Sequence, residues 1–276
     1  MIDAHFHSWQ LSRGDYGWLT PDSGSIYRDV AVADWQKLAK PLGINGGVLV
    51  QAAPSLAETL YLLDLAEANP AVLGVVGWVD LVAADAVYQI ERIAKHPKLK
   101  GLRPMLHDLP DPAWIVQPVV QPALATMEKL GLVFDALIRA AHLPHILTFA
   151  QCYPNLSIVI DHCAKPDIAL GVEAAWQPWA DGMAALAALP NVSCKLSGLL
   201  TEAGQSPELN ICEAWVNEIL RLFGSERIMW GSDWPVLELA GEYQTWFEYC
   251  QSIASHLTES QQDNIFHNNA KRIYKI

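Results

Sequence analysis

Two histidines one residue apart, His5 and His7, follow Asp3 within the first seven residues of the chain. In an extended strand, residues two apart face the same side, so Asp3, His5 and His7 are expected on one face. Imidazoles so placed can hold a divalent metal or polarise a carbonyl. Far downstream, residues 227–235 read RIMWGSDWP, which puts Asp233 just past a short apolar run. A carboxylate there can take a proton from water or bind a metal. His162, in DHCAKP at 161–166, ends another apolar run, and Arg103, in GLRP at 101–104, emerges from a third. A buried guanidinium needs a carboxylate or a substrate oxygen. Ser193, Lys195 and Ser197 alternate along a fourth run, where an inward lysine needs an anionic partner. Each residue alone has an ordinary explanation: a capping aspartate, a core histidine, a snorkelling lysine. Their shared position at the ends of separate apolar runs is what points to one site.

The runs that carry them are short and rich in Val, Ile and Leu. Eight occur, at 2–7, 47–51, 73–79, 99–104, 132–138, 156–161, 192–197 and 227–231. Most lack polar alternation, as expected of strands buried on both faces. Between them, 56–68, 84–95, 118–130, 174–188, 207–223 and 242–256 carry apolar residues at helical spacing. Strands alternating with helices predict right-handed crossovers and a parallel sheet. Eight strands in 276 residues predict a single-domain (β/α)8 TIM barrel spanning 1–276, a fold that uses roughly 250 residues. The open doubly wound sheet is the alternative, but no GxGxxG or phosphate-loop motif follows any strand. Active sites of barrels lie at the C-terminal strand ends, where the polar residues above fall. The segments 15–29 and 106–114 read as loops over that end. Trp18, Gln51, Asp80 and His107 are the candidates there to contact substrate. Most of the 11 tryptophans are expected in the core.

A formal net charge of -12 argues against binding nucleic acid or an anionic membrane. The five cysteines are scattered, odd in number and without a CxxC pair, so a disulfide framework is not expected. With no basic leader and no apolar run of about 18 residues, a cytoplasmic protein acting on a small molecule is expected.

The motifs DAHFH (3–7), GLRP (101–104), RAAHLP (139–144), DHCAKP (161–166), CKLSGL (194–199) and MWGSDWPV (229–236) resemble the amidohydrolase superfamily, in the branch that includes sugar lactonases. The resemblance extends to the C-terminal segment 267–274. It implies that His5 and His7 are the first-strand pair, His162 the sixth-strand histidine and Asp233 the aspartate that activates water. It implies hydrolysis of a small lactone, with Asp233, His162, Arg103 and Lys195 as catalytic residues. Lys195 or His162 would protonate the leaving oxygen, and Asp135 would orient another site residue. Two-metal relatives carry a carboxylated lysine or glutamate on strand 4 and a histidine on strand 5. Here those places hold Arg103 and Asp135, and His142 lies downstream. The expectation is therefore one divalent ion, zinc, on His5 and His7 with Asp233, or no obligatory metal. The alternatives are a metal-dependent decarboxylase of the same branch and a barrel that only binds a ligand.

Overall fold

The structure, a computed structural model, describes residues 1–204 and 207–276. Its strands are β1 (Ile2–Phe6), β2 (Gly46–Val50), β3 (Val72–Gly77), β4 (Leu99–Leu102), β5 (Val133–Ala136), β6 (Ile158–Ile160), β7 (Val192–Leu196) and β8 (Ile228–Trp230). Each pairs in parallel with the next, in the order β1 to β8. The predicted barrel is thus observed, each strand within two residues or so of its apolar run. Around it lie α1 (Val32–Ala39), α2 (Leu56–Ala68), α3 (Ala86–Ile93), α4 (Gln121–Leu130), α5 (Leu143–Cys152), α6 (Val172–Ala187), α7 (Leu199–Glu202), α8 (Glu213–Phe223) and α9 (Tyr243–Ala254). Short α10 (Glu259–Asp263) leads to α11 (Asn269–Tyr274). Helix α2 starts where Ser55 accepts a hydrogen bond from Glu58 N at 3.0 Å, an N-cap that satisfies one free amide. It stops before Asn69-Pro70.

The apolar residues divide into two cores. Ile2, Ala4, Val48, Val50, Val76, Val133, Val159 and Met229 fill the barrel with Ile273 and Tyr274 of α11. That helix covers the strand starts, where Lys100 Nζ donates to Lys275 O and Lys275 Nζ to Gly131 O. The larger core lies between strands and helices. Among the described residues, no helix is long and apolar enough to cross a membrane, and the five cysteines are all free.

Closure between β8 and β1 rests on few backbone bonds. Phe6 and Trp234 form a single parallel bridge, while Asp233 N donates to His5 O and His7 N to Trp234 O, both at 2.8 Å. Asp3 completes the seam from outside the barrel. It accepts from Ser232 N (2.9 Å) and Ser232 Oγ (2.7 Å), from Trp35 Nε1 on α1 (2.9 Å) and from Tyr243 Oη on α9 (2.9 Å). This corrects the expected shared face of Asp3, His5 and His7. The β1–β2 register shifts between Asp3 and Phe6, so Ile2 and Ala4 point inward before the shift and His5 and His7 after it. Asp3 is left facing the helices.

Candidate active site

The polar side chains at the C-terminal strand ends form two layers. The lower layer is fully buried: His5 on β1, Asp135 on β5, Asp161 after β6 and Lys195 on β7. Lys195 Nζ lies 2.5 Å from Asp135 Oδ2, 3.0 Å from Asp161 Oδ1 and 3.2 Å from His5 Nδ1. Tyr274 Oη donates to Asp135 Oδ2 at 2.7 Å. The strand lysine thus has the anionic partners its burial requires. Burial pushes the Asp135 carboxyl up to about 6 despite Lys195. Burial opposes charge on Asp161, but Lys195, Arg103 and His162 together hold it below the usual range. Burial first, then the Lys195 ammonium, hold His5 well below its ordinary value, so its ring is neutral.

The upper layer opens into a pocket of about 200 Å³. His7, Arg103, His162, Lys165 and Asp233 supply its polar wall, with His107 and Asp108 at the loop side. Trp18, Ala52, Met105, Leu137 and Val236 supply the apolar wall. Pockets for drug-sized ligands run to roughly 300–1,000 Å³, so this one suits a molecule of monosaccharide size. Gln51 secures Arg103 on both sides. Its backbone oxygen and, at 3.1 Å, its Oε1 accept from Arg103 Nη2, while its Nε2 donates to Arg103 O at 2.9 Å. Arg103 Nε is buried without a partner among the described residues. Arg103 lines the pocket as well, so its cation lies beside any ligand oxygen bound there.

His162 and Asp233 sit on strained backbone. Four consecutive non-glycine residues adopt left-handed φ: His162 (51°), Cys163 (52°), Ala164 (60°) and Lys165 (44°); Asp233 does so too (58°). Each such residue costs about 1–2 kcal/mol, and strain of this kind persists at working sites. Gly198 (φ 64°) makes room for the histidine, since a Cβ there would lie 2.6 Å from the His162 ring. Ser197 Oγ lies 2.9 Å from His162 Nδ1. Burial opposes charge on both His162 and Asp233, which lie 3.7 Å apart. Asp233 keeps its charge and sits below the usual range, helped by His162 and His7, whereas His162 falls well below its ordinary value.

The donor set fits one divalent ion. His7 Nδ1 donates to Val50 O at 2.8 Å, which leaves Nε2 as the ring atom that would face an ion. His7 Nε2 is 3.2 Å from His5 Nε2 and 3.2 Å from Asp233 Oδ1. His5 Nε2 is 3.6 Å from the same oxygen. Tetrahedral zinc with bonds of about 2.0–2.1 Å separates its donors by about 3.3 Å. A second group, His5, Asp161 and His162, overlaps the first; Asp161 had no place in the sequence reading.

Of the residues predicted for substrate contact, Trp18 and His107 line the pocket. Trp18 Nε1 donates to Ala52 O at 2.7 Å. Burial pushes His107 down to about 3, so it is neutral there. The structure places the other two elsewhere. Gln51 is buried behind Arg103 and acts on that side chain. Asp80 is exposed, its carboxylate accepting from Val82 N at 3.2 Å in its own turn, away from the pocket. Lys195, expected as a proton donor to substrate, lies below His5 and is not among the residues lining the pocket. His142 is tied to Leu106 O at 3.1 Å, outside the pocket wall. Lys165 and Asp108 are the polar pocket residues that strand alternation missed, because both lie in loops.

A sequence profile of the family described as Amidohydrolase matches residues 2–276. The L-fucono-1,5-lactonase of Burkholderia ambifaria is 45% identical, over 100% of this chain and 95% of that protein. An L-fucono-1,5-lactonase of Burkholderia multivorans is 32% identical, over 100% and 96%. The crystal structure of an amidohydrolase from Burkholderia multivorans with bound zinc superposes with a TM-score of 0.93 at 32% identity, covering 100% of this chain and 99% of that one.

Proposed function

The chain belongs to the amidohydrolase family and is a hydrolase, and we propose that it opens a sugar 1,5-lactone with Asp233 as the base. The observation that carries this reading is the meeting of a charged carboxylate, Asp233, and a guanidinium, Arg103, in one small pocket. The full-length likeness to proteins named as L-fucono-1,5-lactonases supports the substrate class.

Asp233 takes a proton from water, whose oxygen attacks the lactone carbonyl. Negative charge grows on the carbonyl oxygen and is met by Arg103, held in place by Gln51 and Asp161. His162, fixed by Ser197 and Gly198, flanks Asp233, with its Nε2 3.7 Å from Asp233 Oδ1. Trp18 offers a ring face to the sugar, and His107 a neutral imidazole to a hydroxyl. His5, His7 and Asp233 would hold the single zinc ion that their spacing fits. Such an ion supplies a Lewis acid for the carbonyl and acidifies water.

The test is proton release from a panel of aldono-1,4- and 1,5-lactones, L-fucono-1,5-lactone included, followed with a pH indicator before and after chelation and zinc addition. Release from a 1,5-lactone is expected. Asp233→Asn should lower turnover by about 10²–10⁴-fold with the fold intact. Near-normal turnover by that variant removes Asp233 from the role. Activity that survives chelation leaves the oxyanion to Arg103, and activity restored only by zinc assigns His5 and His7 to a metal.

A further inference from the structure

The pocket contains a lysine, and strand alternation does not reveal it. Lys195 is sealed beneath His5. Lys165 stands on the pocket wall with His162 and Asp233. The run of left-handed residues explains how it gets there. Lys165 N donates to His162 O at 2.8 Å, closing a three-residue turn. Side chains three apart in such a turn eclipse one another. His162 and Lys165 therefore leave the backbone on the same side, both into the pocket.

The ammonium is also held. Glu202, at the end of α7, accepts from Lys165 Nζ with one carboxylate oxygen and from Arg139 Nη1 with the other, at 3.0 Å. Helix α7 follows directly on Ser197 and Gly198, which position His162. One loop after β7 thus orients the imidazole and the ammonium together. A lactone hydrolase needs positive charge at a second place besides the carbonyl oxygen. The ring oxygen leaves as an alkoxide, a poor leaving group, and no strand residue of the upper layer other than Arg103 is a fixed cation.

We propose that Lys165 is a further catalytic residue that hydrogen-bonds the ring oxygen as it leaves, with Glu202 as its positioning residue. This rests on the lactone reading above. Water oxygen bonds to the acyl carbon and its proton passes to Asp233. The bond from acyl carbon to ring oxygen then breaks, and its electron pair stays on the ring oxygen. Lys165 stabilises that charge while the oxygen takes the proton from Asp233. The new carboxyl group releases its own proton to solvent, so the enzyme ends as it began.

The experiment compares wild type, Lys165→Met, Lys165→Arg and Glu202→Gln on the lactone that wild type opens fastest, measuring kcat, KM and the isotope effect of ¹⁸O in the ring position. Loss of one such donor costs about 10²-fold in kcat, so Lys165→Met should fall by that factor. Its ring-oxygen isotope effect should rise as bond cleavage becomes the slower step, and Lys165→Arg should recover part of the loss. Glu202→Gln should lower kcat less and move the isotope effect the same way. If Lys165→Met does not fold, the other two variants carry the same comparison. A change confined to KM, with kcat and the isotope effect unchanged, overturns the proposal and leaves Lys165 as a binder of sugar hydroxyls. Wild type inert on every lactone overturns the underlying reading before any variant is compared.

Discussion

Replacing Gly198 by alanine tests the claim that His162 works only where the structure puts it. A Cβ at Gly198 would lie 2.6 Å from His162 Cγ and Nδ1 and 2.8 Å from its Cβ. Optimal contacts fall near 3.5 Å, so the ring must retreat by roughly 0.9 Å. It moves against its contact with Ser197 Oγ, now 2.9 Å. Misplacing a reacting group by about 1 Å costs on the order of 10²-fold in rate. The φ of 64° adds a cost of about 1–2 kcal/mol in stability for any side chain. That cost alone should lower Tm by only a few degrees in a domain of this size. Gly14→Ala separates the two effects. Gly14 shares the left-handed conformation, φ 73° and ψ 6° against 64° and 10° at Gly198, with nothing within 4 Å of the added Cβ. Both variants should lose similar Tm by calorimetry, and only Gly198→Ala should lose about 10²-fold in kcat by proton release. A Gly198→Ala enzyme within threefold of wild type would refute the reasoning. An equal loss of kcat in Gly14→Ala would assign the effect to backbone strain rather than to the imidazole.

Two further outcomes follow from buried charge. Lys195→Met leaves Asp135 and Asp161 without their ammonium, which should cost about 3–5 kcal/mol in denaturant unfolding; adding Asp135→Asn should restore part of it, and a cost under about 1 kcal/mol would show that Tyr274 and Arg103 already compensate the pair. Burial raises the Glu58 carboxyl to about 7 from 4.5, against the amide bonds from Ala53 and Ala52. The folded chain then binds the proton more tightly than the unfolded one, so stability should fall as pH rises from about 4.5 to about 7, by roughly 3 kcal/mol. Glu58→Gln cannot ionise and should lack that fall; parallel unfolding curves for the two proteins across the window would refute the shift.

What could be read from the chain beforehand follows from which forces leave a local mark. Strands buried on both faces must be apolar on both, so all eight showed as runs. Helix α1 escaped notice because it has only eight residues and ends in a Lys40-Pro41-Leu42 turn. Helix α5 escaped because its apolar residues join the runs on either side, with Pro144 acceptable only in its first turn. Alternation placed His5, His7 and Lys195 inside the barrel, but it carries phase and not depth. Depth is set by how far each strand is staggered in the closed barrel, and it decides that Arg103 reaches the pocket while Lys195 stays below. Phase itself fails where register shifts, as at Asp3. Lys165 was the hardest case. It lies five residues beyond β6, and its direction depends on four successive residues in a conformation that non-glycine residues rarely adopt. Local preference opposes that turn, so the surrounding packing must impose it. The bond from Trp179 Nε1 to Cys163 O, at 2.6 Å, is one such constraint, and it comes from α6. A side chain aimed by contacts with a distant helix has no signature in its own neighbourhood of the sequence, even when it stands beside the predicted base.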